Sequence, residues 1–217
     1  MDTISRRTFL ASAAAATLVS STTLQAQEPG PTTPDEALRM LMDGNKRFEA
    51  NNLTSIAQDL QLLRDHNVDK QQPFAAVLSC SDSRVPVELV FDQTIGHIFV
   101  ARVAGNIINA EIIGSLEYGA AVLGVKVLIV MGHSNCGAVK AAIAKTEVPG
   151  QIASLYPHLE QAVEAGSGLE DTIKKNASIQ ASLLEKTSTV LAPMVKEGKL
   201  KIHAAYYDVG TGRVTLL

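Results

Sequence analysis

Two short segments carry residue types that together do metal chemistry. Cys80-Ser81-Asp82-Ser83-Arg84 sets a thiol, a carboxylate and a guanidinium at alternate positions. His133-Ser134-Asn135-Cys136-Gly137 sets a histidine three residues before a cysteine. Cys80, His133 and Cys136 make a Cys₂His set. Catalytic zinc typically takes three protein ligands and leaves its fourth position to water. A structural site would want a fourth soft ligand, and the chain has only two cysteines. Asp82 and Arg84 suit a two-point hydrogen-bonded pair beside the thiolate. The competing reading of the same residues is a non-catalytic exported protein with a Cys80–Cys136 disulfide.

These segments need a scaffold that brings them together. Residues 74–80 form a continuous apolar run ending in polar residues, the pattern of a strand covered on both faces. Residues 98–103 and 125–131 read the same way, the latter between Gly124 and Gly132. Helical patterns occupy 109–123, 137–145 and 169–190. Residues 203–207 and 214–217 flank a glycine-rich turn and predict a hairpin. Strands alternating with helices predict an α/β fold with a mostly parallel central sheet, an N-terminal helical arm and a C-terminal hairpin at the sheet edge. In such sheets, sites form beyond the carboxyl ends of strands. Cys80 ends one strand, and His133 and Cys136 follow another, so the topology alone gathers all three.

With 217 residues, 46% of them hydrophobic and 19% charged, the chain suits one domain with a real core. A net charge of −3 is mild and gives no sign of an electrostatic grip on nucleic acid, so no nucleic-acid partner is expected. Residues 1–26 read as a twin-arginine export signal: Arg6-Arg7-Thr8-Phe9-Leu10, then an alanine-rich run too short and too weakly apolar to span a membrane, then small residues before Gln27. This predicts a periplasmic location in a bacterium and no membrane attachment after cleavage. Residues 27–33 form a linker. Thr33, Pro34, Asp35 and Glu36 open a helix, whose stripe Ala37, Leu38, Leu41 and Phe48 has no obvious place on its own domain. A second helical stretch spans 55–64.

The chain resembles a β-class carbonic anhydrase. The segments that carry the resemblance are Ser79-Cys80-Ser81-Asp82-Ser83-Arg84-Val85-Pro86, Arg102-Val103-Ala104-Gly105-Asn106, Ser115-Leu116-Glu117-Tyr118 and Gly132-His133-Ser134-Asn135-Cys136-Gly137-Ala138. It extends over about residues 34–217. It implies a zinc lyase that interconverts carbon dioxide and bicarbonate through zinc-bound hydroxide, with one zinc per chain on Cys80, His133 and Cys136. Asp82 is either a fourth ligand or the partner of Arg84, and these two are the implied catalytic residues. Gln71, Phe99 and Tyr118 match the substrate pocket of the plant-like branch, which lies across a dimer interface. The resemblance therefore also implies a homodimer or larger homo-oligomer, with the helical arm wrapping a partner. Another branch shuts its site with bicarbonate beside a tryptophan. Val77 stands at that position here, so no such shut-off is expected. Some relatives on the same zinc fold hydrolyse carbonyl sulfide or carbon disulfide instead. His66, His97, His158 and His203 match no metal position.

Overall fold

The computed structural model describes residues 30–54, residue 64 and residues 68–217. The export signal, the start of the linker and nearly all of the second helical stretch lie outside them. The scaffold is a five-stranded sheet in the order β2-β1-β3-β4-β5. Its strands are β1 (Ala75–Ser79), β2 (Ile98–Arg102), β3 (Val127–His133), β4 (Lys201–Tyr207) and β5 (Val214–Leu216). All neighbours pair parallel except β4 and β5, which form the expected antiparallel hairpin. No described helix is long and apolar enough to cross a membrane.

The central strands are apolar on both faces because helices cover both. From β1, Ala75 and Val77 enter a core with Phe74, Phe91, Ile129 and Met131. Ala76 and Leu78 point the other way, into a core with Leu116, Leu128, Val130 and Leu184. The first face is covered by α1 (Pro34–Glu49) and the short α2 (Val87–Val90). The second is covered by α3 (Ala110–Ala121), α6 (Leu169–Thr187) and α7 (Leu191–Lys196). A third cluster closes the end of the sheet, where α4 (Gly137–Ile143) and α5 (Tyr156–Ala165) pack Val139 and Leu159 against Cys80, Cys136 and Ile173. Each large side chain buried this way contributes roughly 1.5–3 kcal/mol.

Three expectations are corrected. β3 runs two residues further than the apolar run, because β4 continues to pair with it through Gly132↔Tyr206 and His133↔Tyr207; His133 is thus the last residue of the strand. Gly132 is required there, since a Cβ would sit 2.9 Å from Ile173 Cγ2 on α6. The long helix stops at Thr187, where Ser188 turns to an extended backbone and its hydroxyl accepts from the backbone N–H of Val190 and Leu191 ahead of α7. α5 and α7 carried no pattern strong enough to be read.

The third correction concerns the arm. Its N-terminus forms as expected: Glu36 N–H donates to the Thr33 hydroxyl at 3.3 Å, and the Glu36 carboxylate accepts from Thr33 N–H at 3.1 Å, a capping box. Its stripe does have a place on its own domain. Ala37 and Leu41 are fully buried against the same core as Phe74 and Ile129. Asn45, 2% exposed, locks the docking. Its amide donates to Val90 O at 2.9 Å and Gly212 O at 2.8 Å, and its oxygen accepts from Val214 N–H at 2.8 Å.

Candidate active site

The parallel sheet brings the two chemistry-bearing segments to one end. Cys80 directly follows β1, and its neighbour β3 ends at His133. Asn135 adopts φ 57°, a left-handed turn that asparagine tolerates. The turn returns the chain so that Cys136 stands at the N-terminal cap of α4. The three side chains are buried, and their ligand atoms all lie within 4.8 Å of one another.

The donor set fits zinc. Two sulfurs bound to a tetrahedral zinc at about 2.3 Å each stand about 3.8 Å apart; Cys80 Sγ and Cys136 Sγ are 3.9 Å apart. That separation is far longer than a disulfide of about 2.05 Å, and both cysteines are free. His133 Nδ1 lies 3.0 Å from Ser134 O, which orients the ring. Its Nε2 is buried without a hydrogen-bond partner, a costly state for a polar atom unless a metal takes the lone pair. Among the described residues, no other cluster of this kind is found.

The local field favours thiolate at Cys80. The Cys80 thiol is drawn well below its ordinary value, chiefly by the hydrogen bond it shares with Cys136, and the Gly105 N–H adds to it. The Gly105 N–H donates to Cys80 Sγ at 3.3 Å. Cys136 is pushed up, first by that same bond to Cys80 and then by burial. The two shifts run in opposite directions, so the geometry favours a thiolate at Cys80 beside a thiol at Cys136.

Asp82 and Arg84 form the expected pair at the rim. Arg84 Nε donates to Oδ1 at 2.9 Å and Nη2 to Oδ2 at 2.7 Å, while the Arg84 backbone N–H also donates to Oδ1 at 2.9 Å. The Arg84 guanidinium holds the Asp82 carboxyl well below the usual carboxylate range. Asp82 Oδ2 stands 3.8 Å from His133 Nε2, so an ionised acceptor faces the open side of the ligand set.

Gln71, Phe99 and Tyr118 are not gathered around this site within one chain. Phe99 and Tyr118 meet each other, with ring centroids 6.3 Å apart. Phe99 pairs in register with Ala76, four residues before Cys80 and thus about 13 Å away along the strand. Tyr118 is 46% exposed, and Gln71 is exposed.

Sequence reasoning missed a supporting layer. Asn176 and Gln180, one turn apart on α6 and nearly fully buried, hold the loop after β2. Asn176 donates to Gly105 O at 2.8 Å, and Gln180 accepts from Ile108 N–H at 2.9 Å. Gly105 has φ 75°, a conformation natural to glycine, and its N–H is the one that meets Cys80. The missed signal was two amides at helical spacing within a stripe of Ile173, Ala177, Ala181 and Leu184. Arg102 was also given no role; it donates to the carbonyls of Cys80 and Asp82.

Comparison with known proteins places this geometry. The family model described as carbonic anhydrase matches residues 75–214. Carbonic anhydrase 2 of Mycobacterium tuberculosis is 32% identical over 197 residues, covering 85% of this chain and 93% of its own. The carbonic anhydrase of Mycolicibacterium smegmatis is 34% identical over 192 residues, covering 84% and 93%. Among solved structures, the Coccomyxa beta-carbonic anhydrase in complex with acetazolamide aligns with a TM-score of 0.65 at 25% identity, covering 83% of this chain and 86% of its own. One of two tetrameric beta-carbonic anhydrases from Sordaria macrospora shares the fold, with a TM-score of 0.68 at 21% identity and coverage of 83% and 96%.

Proposed function

The chain belongs to the β-class carbonic anhydrase family, and within that family we propose a zinc enzyme with one metal per chain on Cys80, His133 and Cys136. Its reaction is the reversible hydration of carbon dioxide to bicarbonate and a proton. The observation that carries the site assignment is the buried, unpartnered His133 Nε2 in a set whose two sulfurs stand 3.9 Å apart. Bound zinc supplies Lewis acidity, bringing the pKa of a water towards about 7 so that hydroxide is available at neutral pH.

The chain's own residues do the rest. Asp82, kept ionised by Arg84, accepts a hydrogen bond from the nucleophile and aims its lone pair at carbon. Arg84 prevents that carboxylate from taking the nucleophile's proton. In this reading Asp82 is not a ligand while it stays paired, and Val77 leaves no basis for a bicarbonate-driven closure. Gln71, Phe99 and Tyr118 form the substrate side of a plant-like pocket contributed across an interface. The exposure of Tyr118, and the four residues that separate Cys80 from Ala76, the register partner of Phe99, support a neighbour's role. A homodimer or larger assembly follows, as in the tetrameric Sordaria enzyme.

The export signal at residues 1–26 makes the protein periplasmic. Folded export through the twin-arginine route gives Cys80 and Cys136 a protector, since zinc loaded beforehand occupies both thiolates before they meet an oxidising space.

Elemental analysis with stopped-flow carbon dioxide hydration tests the assignment. One zinc per chain and fast hydration are expected. Active protein without metal, or a stoichiometric disulfide in active protein, overturns it. Carbonyl sulfide and carbon disulfide, assayed alongside, should be poor substrates. Sedimentation should find no active monomer at micromolar concentration, and Arg6→Lys with Arg7→Lys should hold the precursor in the cytoplasm.

A further inference from the structure

The Asp82–Arg84 pair is closed on itself. Its two partners stand two residues apart in one turn, so their hydrogen bonds fix the turn's shape but not its placement over the ligands. The link from Arg84 across to Asn135 O is long, at 3.4 Å. Placement comes from elsewhere. Arg102 is the last residue of β2 and stands in register with Ser79, the last residue of β1. From that fixed position its Nε donates to Cys80 O at 3.0 Å and its Nη2 to Asp82 O at 2.6 Å. One planar fork grips the backbone of both the first metal ligand and the carboxylate.

We propose that Arg102 is a positioning residue for the reaction: it ties the turn of residues 80–82 to the sheet and thereby sets where the Asp82 carboxylate stands relative to Cys80 and His133. The proposal rests on the zinc hydration reading above. Competing support for these carbonyls is weaker. Among the described residues, Cys80 O otherwise meets the Ser79 hydroxyl, at 3.4 Å, and Asp82 O also accepts from Val85 N–H inside the same turn. A lysine cannot replace the fork, because a single ammonium on a flexible stem does not span two carbonyls at fixed separation. Arginine therefore appears twice at this site with divided labour: Arg84 holds the carboxylate, and Arg102 holds the peptide that carries it.

The test uses full-length, zinc-verified protein and reads kcat per bound zinc, KM, and a double-variant cycle. Arg102→Ala should lose on the order of tenfold to a hundredfold in kcat per bound zinc, the usual cost of removing an outer support of a metal site, with KM little changed. Arg102→Lys should fall between it and the parent. In the Asp82→Asn background, Arg102→Ala should cost almost nothing further, because the group it positions is already disabled. A purely structural role predicts lost zinc and lost thermal stability with kcat per bound zinc intact, and that result overturns the proposal. So do losses that multiply fully in the double variant. If Arg102→Ala does not fold, Arg102→Lys at the parent kcat per bound zinc overturns it equally. The parent's own zinc content and activity test the zinc hydration reading, so the two failures are distinguishable.

Discussion

The floor of the site and its rim are built differently. His133 and Cys136 are 1% and 0% exposed, one at the end of a central strand and one at the start of a helix. Across from them, the Arg84 side chain is 47% exposed and that of Asp82 18%. The floor is positioned by packing, in the cluster that includes Ile107, Val139, Leu159 and Ile173. The rim is positioned by hydrogen bonds between side chains and a turn. An exposed ion pair adds little stability, so substitution at the rim should leave the fold intact, whereas substitution at the floor should cost the proposed metal. Binding and reactivity are thereby assigned to separable sets of residues.

The largest expected effect attacks the floor. His133→Ala or Cys136→Ser should abolish zinc retention and reduce hydration to background, read by elemental analysis and stopped-flow assay together. Full activity with stoichiometric zinc in either variant would erase the distinction. The next effect attacks the rim. Asp82→Asn and Arg84→Ala should keep zinc but lose about 10² or more in rate, the scale of one positioned orienting group. If either lost zinc in proportion to activity, Asp82 would belong to the floor as a working ligand.

The same division explains what the sequence made legible. Cys80, Asp82, Arg84, His133 and Cys136 were readable because their chemistry is unusual and their positions fall at strand ends. The sheet was readable because 74–80 and 125–131 are apolar without interruption. The polar supports were not. Asn176, Gln180 and Arg102 act on backbone carbonyls and N–H groups, which leave no trace in residue type. Asn45 is the same case: a polar residue inside an apolar stripe reads as a break in the stripe, while in the fold it fills three backbone hydrogen bonds at once. Gln71, Phe99 and Tyr118 stand apart from the ligands within one chain, with Tyr118 46% exposed and Phe99 in register with Ala76, so a pocket role for them rests on the proposed assembly.

A smaller effect separates the rim from the nucleophile by pH. Asp82 is held below the usual carboxylate range by Arg84, so its folded pKa lies under the unfolded value of about 3.9. A group depressed in this way contributes stability above the unfolded pKa and loses it as pH falls further. Between about pH 8 and 5 it stays ionised and paired. Hydration should then fall along one smooth titration near the pKa of the activated water, about 7. Added bicarbonate should not deepen the fall. A steep, cooperative loss that bicarbonate intensifies would mean that Asp82 leaves Arg84 and closes the site.

The smallest expected effect on rate comes from outside both regions. Asn45→Ala strands the carbonyls of Val90 and Gly212 and the N–H of Val214, all at the junction of α1, α2 and the C-terminal hairpin. Leaving buried partners unpaired costs about 1–3 kcal/mol, and a domain of this size loses about 2–4 °C in melting temperature for each kcal/mol. The junction lies on the face of the sheet covered by α1, whereas the ligand cluster is enclosed by α4, α5 and α6. Asn45→Ala should therefore melt earlier while kcat per bound zinc stays at the parent value. That outcome shows that a loss of stability does not by itself degrade the rim. It also calibrates the Asp82 and Arg84 variants, whose rates should fall with little change in melting temperature. If Asn45→Ala instead slowed hydration per bound zinc as much as Asp82→Asn does, docking of α1 would be coupled to the site through the sheet, and the separation of floor, rim and scaffold would fail.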